Sequence, residues 1–111
     1  PHEKMYILAR ADIGPGLQAA QSAHAAFQIS AEYPQVVEDW LKDSSTIVLL
    51  SVDSEDQLLE WADVCHKERV TYLLVREPDL GDEHTALIVP PSHVGPRFSE
   101  LPLQGEVVVV V

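Results

Sequence analysis

MYILARADIGPGLQAAQSAHAAFQISA, residues 5–31, is the stretch on which the fold turns. Met5 to Ala9 is an unbroken apolar run of strand length and reads as a buried strand. Arg10 to Gly16 then bring Asp12, Gly14, Pro15 and Gly16 together, the residue types that bend chains, and read as a loop. From Leu17 to about Ala31 the alanine-rich composition favours helix. At 100° per residue Ala19, Ala20, Ala23, Ala26 and Phe27 gather on one side of that helix, and Gln21, His24 and Gln28 form a narrow polar stripe on the other. Small side chains on the alanine side predict close packing against a sheet there.

The rest of the chain repeats the alternation. Pro34 suits the first turn of a second helix running to about Lys42, with Val37, Trp40 and Leu41 predicted to face inward. Thr46 to Val52 is β-branched and leucine-rich and reads as a central strand. Ser54 and Gln57 form a capping-box pattern, with Glu55 and Asp56 in the first turn of a helix to about Glu68. Leu58, Leu59, Ala62 and Cys65 mark its inner face. Val70 to Val75 is a third strand, Pro78 to His84 a loop, and Thr85 to Val89 a fourth strand stopped by Pro90 and Pro91. Gly95 and Pro96 interrupt any helix over residues 92–101. Strands alternating with helices predict a three-layer α/β/α domain around a four-stranded mixed, mostly parallel sheet. Sites in such sheets form at the carboxyl ends of parallel strands. That places Arg10, Asp12, Arg76 and Glu77 on one rim beside the start of the first helix.

With 111 residues the chain suits one domain over residues 1–111, and its opening on Pro1 reads as a trimmed or excised piece. Seven cations against eighteen acids give a formal charge of −11, which argues against broad nucleic-acid binding. Any RNA contact is expected to be weak and local. No apolar run is long enough to cross a membrane. The one cysteine, Cys65, reads as a buried apolar residue and fits a reducing, cytoplasmic compartment. The acids Asp79, Asp82 and Glu83 match no calcium loop, and the histidines are scattered, so no metal is expected.

Arg10-Ala11-Asp12-Ile13 followed by Gly14-Pro15-Gly16-Leu17-Gln18-Ala19-Ala20-Gln21-Ser22-Ala23-His24-Ala25 resembles the first strand, loop and helix of the archaeal and eukaryotic type of peptidyl-tRNA hydrolase. The pattern in that family is R-x-D-L, then G-K-G-K-x-A-A-Q-x-x-H-A. Val52-Asp53-Ser54-Glu55-Asp56-Gln57-Leu58-Leu59 is similar to its V-D-S-E-E-E-L-L, and Thr85 to Pro91 to its T-V-L-A-I-G-P strand. The resemblance covers residues 4–101 and leaves 102–111 as an extension. Both motif lysines are missing, with Pro15 and Leu17 in their places. The family's D-A-G-R-T loop is replaced by Glu77 to His84, with Glu77 nearest to its aspartate. The chain looks closest to a divergent branch with a leucine-type residue at the lysine position.

That resemblance implies an esterase that cleaves a peptidyl or aminoacyl group from the 3′ end of tRNA, with no cofactor. Gln21, His24, Glu77 and Thr85 are the catalytic candidates, and Arg10, Gly16 and Arg76 the substrate-binding ones. Gln21 and His24, three residues apart, share a helix face, and His24 can move a proton near neutral pH. Each has a plainer alternative: a solvated polar stripe for Gln21 and His24, a loop carboxylate for Glu77, an ordinary strand-start residue for Thr85, and salt bridges for Arg10 and Arg76. The competing function is an inactive family member kept as a binding or regulatory module. A homodimer also fits the family. The run Val107 to Val111 suits an added strand, on this sheet or on that of a second copy.

Overall fold

The computed structural model describes residues 2–106, so the expected valine strand over 107–111 lies outside the described residues. In chain order come β1 (Met5–Arg10), α1 (Pro15–Glu32), α2 (Pro34–Asp43), β2 (Ile47–Val52), α3 (Glu55–Lys67), β3 (Leu73–Glu77) and β4 (Glu83–Val89). Two single 3-10 turns, Pro78–Leu80 and Gly95–Phe98, complete the set. The four strands form one mixed sheet in the order β2-β1-β4-β3. Leu8, Leu50, Val52, Leu58, Ala62, Cys65, Leu87 and Val89 fill the layer between sheet and α3. Met5, Ile7, Ala9, Ala25, Ile29, Val75, Ala86 and Ile88 fill the layer under α1 and α2. The three-layer α/β/α arrangement is therefore present.

Only one strand pair is parallel, β1 with β2; β1–β4 and β4–β3 are antiparallel, so the sheet is less parallel than expected. The reason lies between β3 and β4, which are joined by the single 3-10 turn Pro78–Leu80 and not by an α-helix. Gly81 and Asp82 both take left-handed backbone conformations (φ 64° and 59°) and return the chain directly. Even so, β1, β2 and β3 point the same way, and their carboxyl ends share one rim with the start of β4.

β3 begins three residues later than its β-branched sequence suggests. Arg69 adopts φ 58°, its amide bonds to the His66 carbonyl, and the Val70 amide reaches back to the Cys65 carbonyl. This closes α3 with a Schellman turn and consumes Val70. At the other end, α1 starts at Pro15 rather than Leu17, because proline fits the first helical turn and Gly14 (φ 91°) supplies the bend before it.

The inner face of α1 is not the one the alanines suggested. Gln18, Gln21, Ser22, Ala25 and Ile29 are buried, whereas Ala19, Ala20, Ala23 and Phe27 are exposed. Position by position this is the i, i+3, i+4, i+7, i+11 pattern, but its first three members are polar. They are tolerated because each is hydrogen-bonded: Gln18 Nε2 to the Ala9 carbonyl and Ser51 Oγ, Ser22 to Gln104, and Gln21 as described below. Leu41 and Leu59, expected inside, are likewise exposed, while Val37, Trp40 and Trp61 pack at the core margins. Residues 102–104 lie along the outer edge of β2. Leu103 bridges Leu50, the Ser51 amide bonds to the Pro102 carbonyl, and the Gln104 amide to the Leu49 carbonyl.

Candidate active site

Gln21 is 2% exposed and sits where α1 crosses the start of β4. Its Nε2 donates to Glu77 Oε2 at 2.9 Å, and its Oε1 accepts from Thr85 Oγ1 at 2.6 Å. The chemistry fixes the directions. An ionised carboxylate only accepts, so the amide nitrogen must face Glu77. The amide oxygen is left for Thr85, whose hydroxyl must then donate.

Thr85 reaches this position through a break in strand register. Val75 pairs with Ala86 but Arg76 pairs with His84, so Thr85 has no partner on β3. Ala86 belongs to the layer under α1 and Leu87 to the layer under α3. Strict alternation would therefore turn Thr85 toward α3. The bulge re-aims it toward α1 and into contact with Gln21. Thr85 itself is fully buried.

Glu77, the last residue of β3, carries the relay to the surface. Its Oε1 accepts the amide of Asp79 at 3.1 Å. The Gln21 hydrogen bond, followed by the Asp79 amide, holds the Glu77 carboxyl below its usual range. Desolvation opposes this, and the charge of nearby His24 adds to it. His24 is exposed and lies one turn along α1 from Gln21. Side chains on a helix lean toward its N-terminus, so the imidazole leans back over that turn. The four catalytic candidates read from the sequence are thus brought together. Gln21 and Thr85 are sealed inside, however, and only Glu77 and His24 reach solvent.

The substrate-binding candidates are arranged differently. Arg10 is 7% exposed and pairs with Asp12 through Nε and Nη2 (2.9 and 2.8 Å). Its Nη1 donates to Glu83 at 3.1 Å and to the His84 carbonyl at 3.2 Å. The Asp12 hydrogen bonds raise the Arg10 pKa further above neutrality and hold Asp12 below the ordinary carboxylate range. The salt-bridge alternative for Arg10 is therefore realised, and its charge is balanced locally. Alternation from Leu8 and Leu74 puts Arg10 and Arg76 on the α3 side of the sheet, across from Gln21 and Thr85. Arg76 is exposed and enters no ion pair among the described residues. Gly16 lies in the first turn of α1, whose amides no side chain caps. Leu17, in the place of the missing lysine, is 44% exposed there.

Two participants escaped sequence reasoning, whereas Asp12 is the salt-bridge partner expected for Arg10. The Asp79 amide carries no side-chain signal at all. Glu83 as a partner of Arg10 depends on where β4 begins, which the sequence placed two residues late. Among the described residues no group of His, Cys, Asp and Glu side chains is arranged to hold a metal ion. Two clefts of about 380 and 310 Å³ lie away from the relay, one lined by His2, Lys4, Tyr6 and Gly95, the other by Val36, Trp40 and Pro91. The candidate site is open surface, defined by its hydrogen-bonded relay. Cys65 is buried beneath α3 and burial pushes its thiol up to about 11, so it plays no part.

A family model described as peptidyl-tRNA hydrolase PTH2 matches residues 3–94. That span holds every residue of the relay. No curated protein matches the chain.

Proposed function

The chain belongs to the PTH2 family of peptidyl-tRNA hydrolases, and from that premise we propose that it hydrolyses the ester joining a peptidyl or N-blocked aminoacyl group to the 3′ end of tRNA. The observation that carries the reading is the buried relay Thr85–Gln21–Glu77, which ends beside the exposed His24. In this reading His24 takes a proton from water as the oxygen attacks the ester carbonyl. Glu77, ionised and fixed through Gln21, steadies the imidazolium and orients the ring. As the intermediate collapses, the bond to the ribose 3′ oxygen breaks and that oxygen takes the proton from His24. The products are free tRNA and a carboxylate. Thr85 and Gln21 are positioning residues.

Arg76 is the cation left to meet phosphate, since Arg10 is satisfied internally. Binding is then weak, with a shallow dependence on salt. The free, buried Cys65 supports a cytoplasmic setting. A second copy would be received against the side chains of Ile47, Leu49 and Leu103, which stay exposed although residues 102–104 cover the edge of β2.

One observation favours the competing reading of an inactive binding module: Leu17 puts an exposed apolar side chain where the family pattern has a lysine. Incubating the purified protein with peptidyl-tRNA at low salt separates the two. Release of free tRNA that Glu77→Ala lowers by roughly tenfold or more supports the esterase. Binding without release supports the module.

A further inference from the structure

α1 presents a second surface that the relay does not use. From Pro15 to Ala31 it carries no ionisable side chain except His24, in a chain of formal charge −11. Leu17, Ala20, His24, Phe27 and Ala31 are spaced three, four, three and four residues apart, so they form one continuous row on the exposed side. Leu17 is 44% and Phe27 79% exposed, and Ala20 and Ala31 are exposed as well. At 1.5 Å per residue the row is about 15 Å long between Leu17 and Phe27. Phe27 is the most exposed of the large apolar side chains among the described residues, and apolar surface that runs on along one helix face marks a contact.

What covers the row is decided by what stands within it. His24 lies between Leu17 and Phe27, and its charge acts on Glu77. A second copy of the chain laid along the row would bury the one imidazole at the site. An occupant compatible with the chemistry must bring its reacting carbonyl to His24 and its apolar body to the neighbouring side chains. The RNA backbone is polyanionic and gains nothing from an uncharged strip, and a terminal base stacked on Phe27 would serve every ester alike. The acyl side chain is the part that differs between substrates and gains from apolar contact.

We propose that Ala20 and Phe27, on either side of His24, form an acyl-side subsite that selects esters bearing a bulky apolar or aromatic side chain next to the scissile carbonyl. This rests on the esterase reading and names its substrate class. Phe27 is about 4.5 Å of axial rise from His24, within reach of a side chain on the carbon beside that carbonyl.

The test compares kcat/KM for N-acetyl-phenylalanyl-tRNA and N-acetyl-glycyl-tRNA. Wild-type protein should prefer the first by about tenfold, the lower end of what an apolar contact gives. Phe27→Ala, at an exposed position, should reduce that ratio severalfold. Leu41→Ser, on the exposed face of α2, should leave the ratio as it is. Equal rates for the two esters, or a ratio untouched by Phe27→Ala, would overturn the subsite. If neither ester is hydrolysed, the esterase reading falls, and the subsite is read by titrating N-acetyl-phenylalanine methyl ester into the labelled protein. Chemical-shift changes confined to Ala20, His24 and Phe27, and lost in Phe27→Ala, uphold it. Changes elsewhere or none, or self-association that Phe27→Ala abolishes, overturn it.

Discussion

Thr85→Val and Gln21→Met, made singly and together, probe the relay at its most buried link. The Thr85 hydroxyl and the Gln21 amide oxygen are 2.6 Å apart, at 0% and 2% exposure, so water cannot replace either partner. Each single change keeps the side-chain volume nearly constant but strands one buried polar group. A group stranded in this way costs about 1–3 kcal/mol, and complete burial argues for about 2 kcal/mol in each single variant. The double variant removes both polar groups together and leaves an apolar contact. Glu77 then loses a donor, but its carboxylate is half-buried at the surface and can take water instead. The double variant should therefore cost about 1–2 kcal/mol rather than about 4, a coupling of about 2 kcal/mol. Urea unfolding is the assay. With an m value of about 1.5 kcal/mol/M, each single midpoint should drop by about 1.3 M and the double by no more. Single variants within about 0.5 kcal/mol of wild type, or strictly additive losses, would refute a satisfied internal pair.

Other consequences follow from the same geometry. Leu17→Lys replaces an exposed side chain, so stability should change by less than about 0.5 kcal/mol while hydrolysis of peptidyl-tRNA rises; a thermal melt with an activity assay checks both, and an unchanged rate would remove the lysine argument. Because the folded Glu77 carboxyl lies below its unfolded value, the stability it confers over Glu77→Gln should be full near neutral pH. It should shrink as pH falls through the ordinary carboxylate range and vanish below the folded value. Urea melts from pH 7 to pH 3 measure that gap, and a gap independent of pH contradicts the shift. Arg10→Met removes a nearly buried guanidinium from two carboxylates and the His84 carbonyl. Those carboxylates are 41% and 47% exposed and recover water, so the loss should be about 2 kcal/mol, below that of breaking a fully buried pair. A change in thermal stability near zero would show that the cluster is dispensable.

Much of this was legible in the chain before its structure. The apolar run of β1, the Gly/Pro bend and the alanine-rich α1 follow from local chemistry, and so does the Ser54 cap, whose Oγ accepts the Gln57 amide. The motif resemblance brought Gln21, His24, Glu77 and Thr85 to one place. What local chemistry could not give was set by contacts distant in sequence. The inner face of α1 looked polar at Gln18, Gln21 and Ser22 because their partners, Ser51, Thr85, Glu77 and Gln104, lie far along the chain. Thr85 faces α1 only because a bulge turns it, and nothing in Glu83-His84-Thr85 announces a bulge. The left-handed Arg69 that delays β3 carries no glycine to give it away. Residues 102–104 dock on β2 chiefly through main-chain bonds, which leave no side-chain pattern to read.

The central claim is that His24, backed by the Glu77 relay, drives ester hydrolysis on tRNA. Its most direct test is single-turnover release of free tRNA from N-acetyl-phenylalanyl-tRNA at low ionic strength, with wild type beside His24→Ala. Release well above buffer by wild type, and slower by roughly tenfold or more in the folded variant, is the result the account predicts. Wild-type release no faster than buffer, or equal rates for the two proteins, would contradict it.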